Sequence, residues 1–114
     1  MTDDAAPVEA IDLYWRPGCG FCRALEADLS PTSLPIRRHN IWEDESAAAF
    51  VRSVADGNEI VPTVACGTHA LVNPSINDVF ALVATEAPHL LPDGYEPVNP
   101  GRIAGIMRKV LGGS

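Results

Sequence analysis

The sequence is short of basic residues: eight lysines and arginines stand against fifteen aspartates and glutamates, a formal net charge of -7 over 114 residues. Nucleic-acid binding needs a basic face, because contacts with phosphates supply most of the affinity. The same acidic balance disfavours an anionic membrane surface. We therefore expect neither a nucleic-acid partner nor a membrane partner.

Long hydrophobic runs are also missing, since no apolar stretch approaches the roughly 20 residues of a membrane-spanning helix. Residues 1–9 are acidic and lack the positive start and the apolar centre of a secretory signal peptide. We predict that these residues form a disordered lead and that the protein is cytoplasmic.

Cysteine is scarce, and the three present are an odd number, which argues against a secreted module held together by disulfides. The apolar fraction of 46% and the charged fraction of 20% are those of a soluble globular protein. A chain of 114 residues can bury a hydrophobic core as one domain. We expect that domain to be a monomer.

Two of the cysteines, Cys19 and Cys22, stand in C-x-x-C spacing between a β-prone run and a helix-prone segment. A strand, a tight Pro-Gly turn and a helix place Cys19 at a helix N-terminus. Free backbone N–H groups and the positive end of the helix dipole favour a thiolate there. Arg16 adds a positive charge nearby. Because Cys22 can close a disulfide with Cys19, the spacing indicates a redox site.

The pattern of apolar residues and breakers predicts strands at residues 10–15, 36–41, 60–65 and 69–72 and helices at residues 20–29 and 43–55. A third helix begins near residue 75. Either Asn73 caps it with Pro74 in the first turn, or Ser75 caps it with Asp78 three residues on. The order β-α-β-α-β-β-α is the plan of an α/β, thioredoxin-like fold. We expect a four-stranded mixed sheet flanked by helices, with the second strand at an edge.

Residues 88–114 follow the predicted domain of residues 10–87 as a proline-rich connection and a short amphipathic helix. One face of that helix is apolar and the other side is basic. The apolar face comprises Ile103, Ile106, Met107, Val110 and Leu111, and the basic side Arg102, Arg108 and Lys109. We expect the helix to fold back onto its own domain, with docking or dimerisation as the alternative.

Three short segments carry a family resemblance: CGFC at residues 19–22, VPTV at residues 61–64 and NPS at residues 73–75. In this combination the sequence resembles the glutaredoxins, and within them the actinobacterial mycoredoxin group, over about residues 10–85. The resemblance implies a thiol–disulfide oxidoreductase that reduces protein or mycothiol mixed disulfides. Cys19 is then the attacking thiolate, and Cys22 or a second mycothiol resolves the intermediate.

The resemblance also implies a substrate site around the cysteine pair. Pro62 is expected in the cis form facing the disulfide, with Val61 presenting its backbone to a bound thiol. Arg16 stands where many glutaredoxins carry a substrate-binding lysine. Phe21 replaces a common tyrosine and lacks the hydroxyl of that residue. The Pro17-Gly18 pair replaces a bulkier residue, which predicts a more open entrance to the active site.

Asn73, Pro74 and Ser75 replace the Gly-Gly-x-Asp segment by which many glutaredoxins hold the glutamyl arm of glutathione. This departure favours mycothiol over glutathione as the reducing co-substrate. We expect no bound cofactor and no metal. The partners implied are a low-molecular-weight thiol and oxidised protein substrates.

Two metal-binding alternatives remain. CGFC differs by one residue from the CGFS motif of monothiol glutaredoxins, which hold an iron–sulfur cluster between two subunits. Cys19, Cys22, Cys66 and His69 also offer four formal zinc ligands. We favour the redox reading over zinc, because the two pairs fall at opposite ends of the predicted sheet.

The remaining cysteine, histidines and tryptophans have ordinary interpretations. Cys66 is expected to be an inert thiol or a secondary oxidation site. Neither His39, on the predicted edge strand, nor His89, in the connection, is placed to act as a general base. Trp15 and Trp42 are expected in the core or at the rim of the domain.

Overall fold

The computed structural model describes residues 7–92 and 108–109. The strands are β1 Ile11–Trp15, β2 Ile36–Asn40, β3 Thr63–Cys66, β4 His69–Val72 and β5 Arg108–Lys109, and the helices are α1 Gly20–Leu29, α2 Glu45–Val54 and α3 Ile76–Glu86. Short 3₁₀ turns occupy Ser30–Thr32 and Pro88–Leu90. From β1 to α3 the order is the predicted one, and the thioredoxin-like fold is confirmed.

The strands form one mixed sheet in the order β2-β1-β3-β4-β5. β1 and β2 run parallel, β1 and β3 antiparallel, and β3 and β4 form an antiparallel hairpin. The predicted mixed sheet is therefore confirmed, as is the edge position of β2. This arrangement brings the start of β3 beside the end of β1, where Tyr14 lies opposite Thr63.

Alternation along the central strands divides the core between the two faces of the sheet. Leu13 and Val64 pack with the buried residues of α1 and α3 in one cluster. Their neighbours Tyr14 and Ala65 pack instead with Val54 of α2. Helices α1 and α3 therefore cover one face of the sheet and α2 covers the other.

Local signals in the sequence explain where α2 and β3 begin. Asp44 caps α2, where its Oδ1 accepts the backbone N–H groups of Ser46 at 3.0 Å and Ala47 at 3.2 Å. β3 begins at Thr63, later than predicted, because Pro62 has no N–H to give to a strand ladder. Residues 60–62 therefore form a loop that leads into the sheet.

The predicted C-terminal helix is wrong at Arg108–Lys109, which form β5. β5 is antiparallel to β4, with Lys109 opposite His69 and Arg108 opposite Ala70. The outer edge of β4 would otherwise leave backbone N–H and C=O groups unpaired, so strand pairing outweighs the helical spacing of the sequence. The sheet thus has five strands. The other residues of the predicted helix lie outside the described residues.

The predicted disordered lead does not extend as far as Val8. Its side chain packs against the larger core cluster, and its carbonyl oxygen lies 2.6 Å from His89 Nε2. Leu90 and Leu91 pack against the same cluster, so the start of the proline-rich connection also belongs to the domain. None of the helices within residues 7–92 combines the length and apolar character that a membrane crossing requires.

Candidate active site

The turn between β1 and α1 positions the cysteine pair. Gly18 has a φ of +75°, in the left-handed region that glycine adopts readily, and it directs the chain into the helix. Cys19 is the N-cap of α1, as predicted, and its Sγ accepts the backbone N–H of Cys22 at 3.1 Å. Cys19 and Cys22 form a disulfide with Cα atoms 5.2 Å apart. The first helical turn thus holds both sulfurs in one place.

Both cysteines sit in an apolar setting at the C-terminal end of β1. Cys19 is 5% exposed and Cys22 is 2% exposed. They belong to a core cluster with buried residues of α2 and of the loop before β3, among them Val51 and Val61. A substrate must therefore approach between the residues that surround the pair. We call this approach the opening of the site, and the groups at its border decide what can enter.

The loop before β3 forms one border of this opening. The Val61–Pro62 peptide bond is cis, as predicted, and the Val61 carbonyl oxygen lies 3.7 Å from Cys19 Sγ. Thr63 Oγ1 donates a hydrogen bond to the Ile60 carbonyl at 2.8 Å. The Asn73 N–H donates to the Pro62 carbonyl at 2.7 Å, so the segment after β4 fixes the same loop.

The NPS segment adjoins this loop. Asn73 is exposed with a φ of +53°, Pro74 is buried, and Ser75 is exposed. Ser75 caps α3: its Oγ accepts the Asp78 N–H, and an Asp78 carboxylate oxygen accepts the Ser75 N–H, both at 3.1 Å. The second capping alternative is therefore the correct one. Because the Ser75 side chain already caps the helix, the Asn73 side chain is the polar group of this turn that is more available to a ligand.

We expect Ser75→Ala to lower the free energy of unfolding by about 1 kcal/mol, the usual cost of losing an N-cap side chain. Urea denaturation of both proteins at neutral pH measures this difference. Ser53→Ala is a matched control, because Ser53 is an exposed helical serine that bonds only the Phe50 carbonyl of its own helix. An equal loss in both variants would contradict a special role of the Ser75 cap.

Arg16 and Trp42 form another border of the opening. The Arg16 guanidinium donates from Nη1 to the Pro17 carbonyl at 3.1 Å, and its central carbon lies 5.6 Å from the centroid of the Trp42 ring. This distance is within the range of a cation–π contact. Trp42 is 63% exposed and Phe21 is 70% exposed. Trp42 therefore lies at the rim, whereas Trp15 is half-buried against the core cluster of the cysteines.

A groove beside the cysteine pair was not foreseen in the sequence. It has a volume of about 390 Å³ and runs between the β1–α1 turn, one side of α1 and β2. It is lined by Trp15, Arg16, Pro17, Gly18, Cys22, Arg23, Glu26 and Arg38. Arg23 and Glu26 follow Cys22 at positions that share a side of α1, so their place beside the cysteine pair could have been predicted from helical spacing. The contribution of Arg38 depends on strand pairing and had no local signal.

The second pair of possible metal ligands lies elsewhere. Cys66 and His69 face each other across the β3–β4 hairpin, at the opposite end of β3 from Thr63. Burial, aided by the charges of Glu86 and Asp12, raises the pKa of Cys66 to about 11, so its thiol stays protonated at neutral pH. In the ranges that the structure covers, no three His, Cys, Asp or Glu side chains are grouped to hold a metal ion.

The two remaining histidines are engaged away from the cysteines. His39 Nε2 lies 2.9 Å from Asp12 Oδ1, and His89 contacts the Val8 carbonyl. Burial works to raise the pKa of Asp12, but hydrogen bonds from Arg37 and His39 outweigh it and hold that pKa below its ordinary value. These contacts give both histidines structural partners.

Comparison with known proteins agrees with this geometry. The sequence model of the family described as glutaredoxin matches residues 11–70. Mycoredoxin 1 of Corynebacterium glutamicum is 37% identical over 75 residues, which cover 64% of this chain and 91% of that protein. A protein of Mycobacterium tuberculosis named as a glutaredoxin is 36% identical over 73 residues, which cover 63% of this chain and 87% of that protein. The chain belongs to the glutaredoxin family.

Proposed function

We propose that this thiol–disulfide oxidoreductase reduces mixed disulfides between client proteins and mycothiol. The observation that carries the proposal is the position of Cys19, which caps α1, pairs with Cys22 and faces the Val61 carbonyl. The similarity to a protein named mycoredoxin supports mycothiol as the co-substrate. Asn73, Pro74 and Ser75 support it as well, because they do not supply the groups that a glutamyl arm needs.

The reaction is an exchange of sulfur–sulfur bonds. The Cys19 thiolate attacks the mycothiol sulfur of the mixed disulfide. A bond forms between Cys19 and mycothiol, and the client thiolate leaves and takes a proton from water. Either the Cys22 thiolate then attacks Cys19 and releases mycothiol, leaving the Cys19–Cys22 disulfide, or a second mycothiol attacks the bound one. The second route gives mycothiol disulfide and restores the Cys19 thiolate.

The residues around Cys19 favour the first step. The Cys22 N–H, at 3.1 Å from Cys19 Sγ, is placed to stabilise negative charge on that sulfur when the disulfide is reduced. The helix dipole acts in the same direction. Both cysteines are nearly buried, and Cys19 differs from Cys22 in its position as the N-cap of α1. This position identifies Cys19 as the attacking sulfur.

We assign substrate-binding roles to the border of the opening. The Val61–Pro62 loop offers backbone groups to the bound thiol, and Phe21 covers its apolar parts. Arg16 offers a positive charge on the other side. In the NPS segment, Asn73 and the free donor of the Ser75 hydroxyl suit sugar hydroxyls.

The cellular setting completes the proposal. We place the protein in the cytoplasm as a monomer that acts on oxidised proteins and on a low-molecular-weight thiol, without a bound cofactor. Within the described residues, the sulfur partner of Cys19 is Cys22. Nothing in this part of the chain favours the alternative of an iron–sulfur cluster carrier.

The first test compares the two thiols. One client protein carrying either mycothiol or glutathione on the same cysteine is reduced by the enzyme, and kcat/KM is measured for each. We expect mycothiol to be favoured by at least about tenfold, or roughly 1.4 kcal/mol in the transition state. Pro74 has no N–H to bind a glutamyl carboxylate, and the acidic Asp78 side chain is held by the Ser75 cap.

Pro74→Ala is the matched variant, because it restores a backbone N–H at this turn. The preference for mycothiol is expected to narrow in this variant. Equal rates for the two thiols in the wild-type protein, or faster turnover of glutathione, would overturn the choice of mycothiol. Such a result would leave the chemistry of Cys19 untouched.

A further inference from the structure

Apart from Arg16 and Cys22, the residues that line the groove have no part in the exchange steps described above. Its volume of about 390 Å³ is enough for one or two amino-acid side chains. Cys22 is among its lining residues and Cys19 is not. The groove therefore begins at the disulfide and leads away from it on the side of α1 and β2.

The charge of the groove differs from that of the protein. Three arginines and one glutamate line it, a formal charge of +2, in a chain whose net charge is -7. Arg38 bonds Glu26 at 2.8 Å, so this pair neutralises itself. The charge that remains belongs to Arg16 and Arg23.

Arg16 and Arg23 differ from the other arginines within residues 7–92. Arg37 pairs with Asp12, Arg38 pairs with Glu26, and Arg52 pairs with two glutamates. For Arg16 and Arg23, no carboxylate within residues 7–92 lies at ion-pair distance. Both of these arginines line the groove. Within residues 7–92, the positive charge without a carboxylate partner is therefore concentrated beside the disulfide.

The groove also offers apolar surface. Trp15 is half-buried there, and Pro17 and Gly18 add a turn without polar side chains. A carboxylate attached to an apolar body fits this combination better than a bare inorganic anion. The side chain of glutamate or aspartate in a peptide has that character, since its methylene groups and the neighbouring side chains supply the apolar part.

We propose that the groove binds an acidic stretch of the client protein next to the cysteine that carries mycothiol. This inference rests on the proposed function. When Cys19 attacks the mycothiol sulfur, the client sulfur is still bonded to that same atom, so the client cysteine stands close to Cys19. The Cα of Cys19 is 5.2 Å from that of Cys22, which lies at the mouth of the groove. An extended client chain advances about 3.3 Å per residue, so a carboxylate about three residues from the cysteine reaches the groove. Arg23 then selects clients by charge.

The test uses two short peptides, each with one cysteine in a mixed disulfide with mycothiol. They differ only in glutamate or glutamine about three residues from that cysteine. We expect the wild-type protein to favour the glutamate peptide in kcat/KM by about fivefold at low salt, the size of one surface ion pair. The preference is expected to disappear near 1 M salt, where the screening length is about 3 Å.

Arg23→Glu is expected to reverse the preference. Arg52→Gln is expected to leave it unchanged, because Arg52 is paired with Glu45 and Glu59 and does not line the groove. The ratio between peptides within one variant cancels any change in thiol reactivity. A ratio near one in the wild-type protein, or an unchanged ratio in Arg23→Glu, would overturn the proposal.

A binding measurement separates this proposal from the proposed function. The same peptides with serine in place of cysteine are titrated into the oxidised protein. Binding is followed by the shifts of the protein's backbone amide NMR signals. We expect the glutamate peptide to move the signals of Arg23 and Glu26 more than the glutamine peptide does. Equal shifts would reject the groove as a binding site for acidic peptides, even if both disulfide peptides of the kinetic test are reduced. A selective shift would support it even if neither is turned over.

Discussion

We expect Cys19→Ser to lower kcat/KM for every disulfide substrate by at least about a thousandfold, the scale of losing a catalytic nucleophile. A serine hydroxyl at this position has the same helix cap and the same neighbours, but it is not ionised at neutral pH and cannot form a sulfur–sulfur bond. The measurement is reduction of a mixed disulfide with mycothiol supplied as the reductant. Circular dichroism confirms that the variant is folded.

Cys66→Ala is the matched control for the loss of a cysteine. Its thiol is buried, its pKa is raised to about 11, and it faces His69 in the hairpin, away from the opening. We expect its rate to stay within about twofold of the wild-type rate, because nothing of this residue reaches the substrate. Residual turnover of Cys19→Ser near the wild-type rate would show that another thiol carries the reaction.

The parts of the site that depend on neighbouring residues could be predicted from the sequence. The bounds of α1 and the cap at Cys19 follow from a strand, a Pro-Gly turn and a helical apolar face within twenty consecutive residues, 10–29. The family resemblance added the cis peptide at Pro62, which composition alone does not indicate. Short-range physical rules and one family pattern were therefore enough to place the cysteines.

Features built by distant residues were missed or wrong. β5 depends on the free edge of β4, about forty residues earlier in the chain, and no property of its own sequence opposes a helix there. The tie between Val8 and His89 joins the two ends of the described domain. The groove needs the parallel pairing of β1 and β2 to bring Arg38 to Glu26. Such contacts are set by topology and not by local pattern.

The second large effect concerns the resolving cysteine. In Cys22→Ser the first attack is retained, since Cys19 keeps its cap and the backbone N–H of residue 22 remains. The second step, in which the Cys22 thiolate attacks Cys19 within the same molecule, is lost. Reduction of a client's own disulfide is expected to fall by about a hundredfold or more, because an external thiol must replace one held at high effective concentration. Reduction of mycothiol mixed disulfides continues when free mycothiol is supplied.

The intermediate identifies the attacking sulfur. Without free thiol, Cys22→Ser is expected to accumulate one mycothiol on Cys19, which mass spectrometry of tryptic peptides detects. In the double variant with Cys66→Ala, Cys19 is the last remaining cysteine of the three in the chain, and the adduct is expected to persist. In the mirror variant Cys19→Ser, Cys22 lies inside the first turn of α1 and lacks the cap position, so an adduct there should be absent. An adduct on Cys22 and none on Cys19 would reverse the assigned roles of the two cysteines.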